Sequence, residues 1–135
     1  MRANVALFVL SVGLLSACAG TEASFRPTTG GAVGPPLTRH AIRAYAGDMD
    51  AVHHAQGATV LGELTVDGGA VANWDDVREH AAVDAAQRGG THFTLLSQWR
   101  EGRSPRMNHA VYVVVRVPVE SWASLPPHLR PSTSE

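Results

Sequence analysis

The chain predicts an α+β fold: a small sheet of three to four strands with one main Ala-rich helix packed on it. Three observations carry the prediction. GATVLGELTVDGG, residues 57–69, alternates in the manner of a half-buried strand that stops at a glycine pair. HAVYVVVRVP, residues 109–118, is a second and richer strand pattern. Between them NWDDVREHAAVDAAQRGG, residues 73–90, repeats its apolar and small residues at helical period. One good helix among short strands, in the order β-(α)-β-α-β-β, describes an α+β sandwich.

Each element has a local reason. AIRAY, residues 41–45, reads as a first short strand, and residues 48–57, acidic at the start and ending in Gly57, suit a short helix or turn. In the 57–69 strand, Val60, Gly62, Leu64 and Val66 fall on one face and Thr59, Leu61, Glu63 and Thr65 on the other. The main helix is capped by Asn73, carries Asp75 and Asp76 at its positive end, and closes with Arg88 before Gly89-Gly90. Trp74, Val77, Ala81 and Ala85 form its buried stripe, flanked by Ala82 and Ala86. THFTLLS, residues 91–97, and the valine-rich strand follow, with Val111, Val113, Val115 and Val117 on one face and Tyr112, Val114 and Arg116 on the other. QWREGRSPRMN, residues 98–108, is too long for a tight hairpin and reads as an exposed loop.

The ends differ from the middle. MRANVALFVLSVGLLSA, residues 1–17, has one basic residue, an apolar run from Val5 to Leu15 and two small residues, the layout of a bacterial export signal. The run is about half the roughly 20 residues that span a bilayer. Residues 18–38, rich in Gly, Pro, Thr and Ser, read as a flexible tether with an r.m.s. span of about 25 Å. Residues 39–118 form the domain, near the lower size limit for a single unstapled core. Residues 119–135 read as a Pro-rich, frayed tail, in which Trp122 is either a partner anchor or a plug on the sheet edge.

Cys18 is the chain's single cysteine. Leu15-Ser16-Ala17-Cys18 resembles the lipobox of bacterial lipoproteins. That resemblance implies cleavage before Cys18 and acylation of its sulfur and of the new amine. Burial of acyl chains contributes about 0.8 kcal/mol per CH₂, so one chain holds weakly and two or three hold stably. An acylated Cys18 leaves no thiol for a disulfide or a nucleophile. Ala19, where Asp would be an inner-membrane retention signal, implies an outer-membrane lipoprotein facing the periplasm of a diderm cell. GATVLGELTVDG, then REHAAVDAAQRGGTHFTLLS, then a valine-rich strand, is similar to a group of small envelope lipoprotein domains. The group includes the outer-membrane sensor lipoprotein of the Rcs stress-response system and related domains of unknown function. Small heavy-metal-binding domains share its helix-glycine-strand idea. This chain departs from the group in two places: it has none of the sensor's disulfide cysteines, and Gly90-Thr91-His92 replaces Gly-Ala-Asn.

The eleven basic residues are all Arg, and loss of Arg2 with the signal leaves ten against twelve carboxylates, a formal charge of −2. That balance excludes the basic footprint of a nucleic-acid binder. No Gly-x-Ser-x-Gly elbow is present, and a phosphate-binding Gly-x-x-x-x-Gly-Lys is impossible without lysine. The expectation is therefore a binding, sensor or adaptor domain, neither an enzyme nor a cofactor carrier beyond the lipid on Cys18. Its expected contacts are the membrane, through that anchor, and an envelope protein partner. The alternative is a metal-binding lipoprotein. Asp76, His80 and Asp84 recur every four residues on one helix face, with His53, His54, His92 and His109 as further candidates. The bland reading of that face is solvation, the Asp84–Arg88 pair adding a few tenths of a kcal/mol. Trp99 with Arg100, Arg103 and Arg106 forms a candidate grip for an anionic partner, against the simpler reading of an exposed polar loop.

Overall fold

Alternation along the β-type segments 57–69 and 109–118 suits them to pair as neighbours in the middle of one sheet. The computed structural model describes residues 20–28, 43–44, 49–69, 72–103 and 106–131. Its elements are β1 (Glu22–Pro27), β2 (Arg43–Ala44), α1 (Met49–His53), β3 (Thr59–Asp67), α2 (Trp74–Gln87), β4 (His92–Glu101) and β5 (Met107–Arg116). Two 3-10 turns follow, Val119–Ser124 and Pro127–Leu129. The sheet order is β1-β3-β5-β4-β2. The first four strands are antiparallel, and the two-residue β2 runs parallel to the start of β4. The fold is α+β, as its pattern of elements predicts.

α2 is set by its sequence at both ends. Asn73 Oδ1 accepts from the Asp76 N–H and the Asp76 carboxylate accepts from the Asn73 N–H, each at 2.9 Å, a reciprocal capping box. At the other end Gly89, at φ +82°, adopts the left-handed conformation of a helix stop. The Gly89 and Gly90 N–H groups donate to the carbonyls of Ala86 and Ala85, closing a Schellman motif. Val77, Ala81, Ala85 and Ala86 are the buried face. Their small size brings helix and sheet close, so close that a Cβ on Gly90 would lie 2.4 Å from Val114 Cγ1. Leu61, Leu64 and Val66 of β3, Phe93 of β4, and Ala110, Tyr112 and Val114 of β5 complete this core.

Among the described residues, the opposite face of the sheet is covered at one end only. Val52 of α1, Val115, Val117, Leu125 and Leu129 form a second buried cluster, with Val60, Val113 and Trp122 packed on it. Both alternating sets of β5 are thus used, one facing α2 and one facing this cluster.

Three expectations need correction. Glu22–Pro27, inside the stretch read as tether, is a strand: it pairs with β3 from Glu22↔Asp67 to Pro27↔Gly62. Its alternation, with Ala23 and Phe25 half-buried against the α2 core, was hidden by the surrounding Gly and Pro. Gly62 permits the approach, because a Cβ there would lie 2.2 Å from the Arg26 carbonyl. Next, Leu61 joins Leu64 and Val66 on the α2 face, while Val60 turns to the other. Val60 pairs with Val115 and Gly62 with Val114, so Leu61 is the extra residue of a bulge.

The third correction concerns the tail. Residues 119–131 are docked, with Ser121, Leu125 and Leu129 buried. Trp122 Nε1 donates to the Val117 carbonyl at 2.9 Å and Ser121 Oγ donates to that of Gln56 at 2.6 Å. Trp122 is a plug on the sheet, and the prolines set the turns between docked residues.

Candidate binding site

The end of the second face left uncovered among the described residues holds the polar cluster that the sequence did not reveal. Register places Glu22 opposite Asp67, Asp67 opposite His109, and His109 opposite Trp99. Directly paired residues of antiparallel strands share a face. One rung across four strands therefore reads Glu22–Asp67–His109–Trp99. Glu101, two residues beyond Trp99 on β4, joins on the same face. The rung is held where β3 leaves the sheet. The Gly68 N–H donates to the Asn108 carbonyl at 2.7 Å, and Asn108 Nδ2 donates to that of Ala72 at 3.2 Å.

His109 is only 8% exposed. Its Nδ1 lies 2.6 Å from Asp67 Oδ1, and since a carboxylate only accepts, Nδ1 carries the proton. Nε2 is shielded from solvent and has no hydrogen-bond partner among the described residues. Glu101 Oε2 stands 3.5 Å away, an ion-pair distance rather than a hydrogen bond. The Trp99 indole stacks on the imidazole, centroids 5.4 Å apart and planes 16° apart. Beside them opens a cleft of about 430 Å³, lined by Glu22, Asp67, Trp99, Glu101, Met107 and His109. That size is within the range of small-ligand sites. On the other face, burial pushes the Tyr112 hydroxyl above its ordinary value, the Arg78 charge opposing in part.

The residues singled out from the sequence are dispersed. Asp76 is engaged in the helix cap, Asp84 accepts from Arg88 Nε at 2.9 Å, and His80 is half-buried between them. Among the described residues no group of three or more His, Cys, Asp or Glu is placed to hold a metal ion. His53 and His54 lie at the end of α1, where His54 Nδ1 donates to the Asp50 carbonyl at 2.9 Å. His92 is wholly buried, its Nε2 donating to the Leu129 carbonyl at 2.7 Å and its Nδ1 2.8 Å from Thr91 Oγ1. It is a structural histidine.

The loop expected at 98–108 is mostly strand, since β4 runs to Glu101 and β5 starts at Met107. Trp99 and Arg100 consequently face opposite ways. Arg100 lies 5.8 Å from the Trp74 ring on the α2 side, whereas Trp99 covers His109. Arg103 and Arg106 are exposed in the connecting turn. Cys18 and the segment 1–17 lie outside the described residues.

No protein-family model matches the chain, and no curated protein does. Among solved structures, it is similar to a Francisella virulence factor, FvfA, at 20% identity and a TM-score of 0.51, over 70% of this chain and 97% of that one. The likeness is one of fold. Among the described residues no helix is long and apolar enough to cross a membrane.

Proposed function

We propose that the chain is a lipoprotein anchored by acyl groups on Cys18 in the outer membrane, facing the periplasm, and that its domain works by binding, as a sensor or adaptor, without catalysis. The observation that carries this reading is Leu15-Ser16-Ala17-Cys18 directly after the apolar run that ends at Leu15. The start of β1 at Glu22 changes what the anchor does. Three residues, Ala19 to Thr21, separate Cys18 from the first strand, and the four Cα–Cα steps reach at most about 14 Å. The expected 25 Å tether is thereby replaced by a short leash, and the Glu22 end of the sheet is the end held toward the lipid. The cleft beside His109 opens at that end, which suits a domain that meets its ligand close to the membrane.

Growth of expressing cells with an alkyne analogue of palmitate is the direct test. Wild-type protein should take up the label and sediment with outer membrane, and Cys18→Ser should lose the label and accumulate uncleaved. Unlabelled wild-type protein in the soluble fraction would overturn the reading.

A further inference from the structure

We propose that the cleft beside His109 binds a primary ammonium group. Every polar side chain contributed to it by Glu22, Asp67 and Glu101 is a carboxylate, which only accepts hydrogen bonds. His109 adds a fourth acceptor. With the Nδ1 proton directed at Asp67, the ring's acceptor position is Nε2, buried and without a hydrogen bond among the described residues. A buried polar atom left unsatisfied in a folded protein calls for a partner. Glu101 Oε2 stands 3.5 Å from it, on a side chain that is 70% exposed and so has room to turn aside. A ligand N–H that enters beneath that carboxylate satisfies Nε2 and Glu101 together.

The same inventory narrows the ligand. Anions are repelled by three carboxylates. A neutral hydroxyl brings one donor to a site rich in acceptors. A primary ammonium brings three donors and a charge, and the Trp99 face and the Met107 thioether offer a soft wall to the methylenes that follow it. A quaternary ammonium keeps the charge but has no N–H for Nε2. The ammonium has two possible sources of one chemistry, a free aliphatic amine or an ethanolamine lipid headgroup. The second source rests on the anchoring of Cys18, which holds Glu22 near the bilayer; the first does not.

The test uses the mature chain as the cell processes it, in detergent when acylated, with ¹⁵N-labelled histidine. The His109 signals are assigned by their loss in His109→Gln. Titration with n-butylamine at near-neutral pH should shift Nε2 saturably, and tetramethylammonium at equal ionic strength should not. Glu101→Gln, at an exposed position and with its fold checked by circular dichroism, should weaken the response about tenfold. A response confined to vesicles containing phosphatidylethanolamine, and absent with pure phosphatidylcholine, supports the same chemistry and assigns it to the lipid. The proposal is overturned by no saturable shift with either primary amine, by an equal response to tetramethylammonium, or by one unchanged in Glu101→Gln. An unacylated chain that binds n-butylamine would refute the anchor and retain the site. An acylated chain that responds to no amine would do the reverse.

Discussion

His92 and His109 lie on one face of one sheet, yet the two ends of that face treat the imidazole in opposite ways. At the covered end His92 is sealed under the C-terminal turns, with Leu129 and Thr91 within hydrogen-bond distance of its ring nitrogens. Thr91 extends the network by accepting from the Val117 N–H at 2.9 Å. At the open end His109 has one nitrogen on a half-exposed carboxylate and the other buried without a hydrogen bond. Burial alone does not distinguish them; satisfaction does. A polar group with its bonds made holds a chain in place, while one left short of a partner at the wall of a cleft is available for binding.

That contrast is open to direct attack by mutation. His92→Ala has the largest expected effect. It removes a fully buried ring and leaves the Leu129 carbonyl without its donor, so urea unfolding should show a loss of about 3 kcal/mol. Leu129→Ala should cost about 2 kcal/mol, at the low end for a buried leucine because a segment near the chain end can settle into the space. The same substitution should raise hydrogen exchange at the Val117 amide, which the docked segment protects. His109→Gln should change stability least, by about 1 kcal/mol or less, since the hydrogen bond it breaks is to a half-exposed Asp67. If His109→Gln proved as damaging as His92→Ala, both histidines would be structural and the contrast would fail.

The fold was legible wherever the signal was local. α2 could be placed from Asn73, Asp76 and Gly89-Gly90 because caps act within a few residues of the backbone they satisfy. β3 and β5 were visible through alternation, though not the bulge at Leu61, which exists only because Val60 and Gly62 meet consecutive partners on β5. β1 was obscured by its neighbours: six alternating residues weigh little in a Gly- and Pro-rich stretch until a second strand supplies the ladder. The tail is hard to read from sequence for a related reason. Its prolines signalled disorder, but Leu125 and Leu129, four residues apart, are apolar side chains that the sheet buries.

The candidate site was less legible than the fold. The metal set rests on helical spacing, and spacing alone does not tell a ligand from a cap or an ion pair: Asp76 and Asp84 have those roles. Trp99 neighbours Arg100 in the sequence, but strand alternation sends the two side chains to opposite faces. His109 was one of several histidines, with nothing in its own neighbourhood to mark it.

By itself, the sequence determined the class of fold, the main helix with both its ends, the two central strands, and the lipobox pattern that proposes an address for the chain. Those features depend on residues within a turn or two of one another, where backbone geometry and period carry the information. Only the tertiary structure decided that Glu22, Asp67, Trp99 and His109 share a rung, that β1 begins within a short reach of Cys18, and that one histidine is sealed while the other lines a cleft. These follow from strand register and from which end of a face is covered. Both are settled by contacts between residues far apart in the chain, whose free energies are summed only when the sheet assembles.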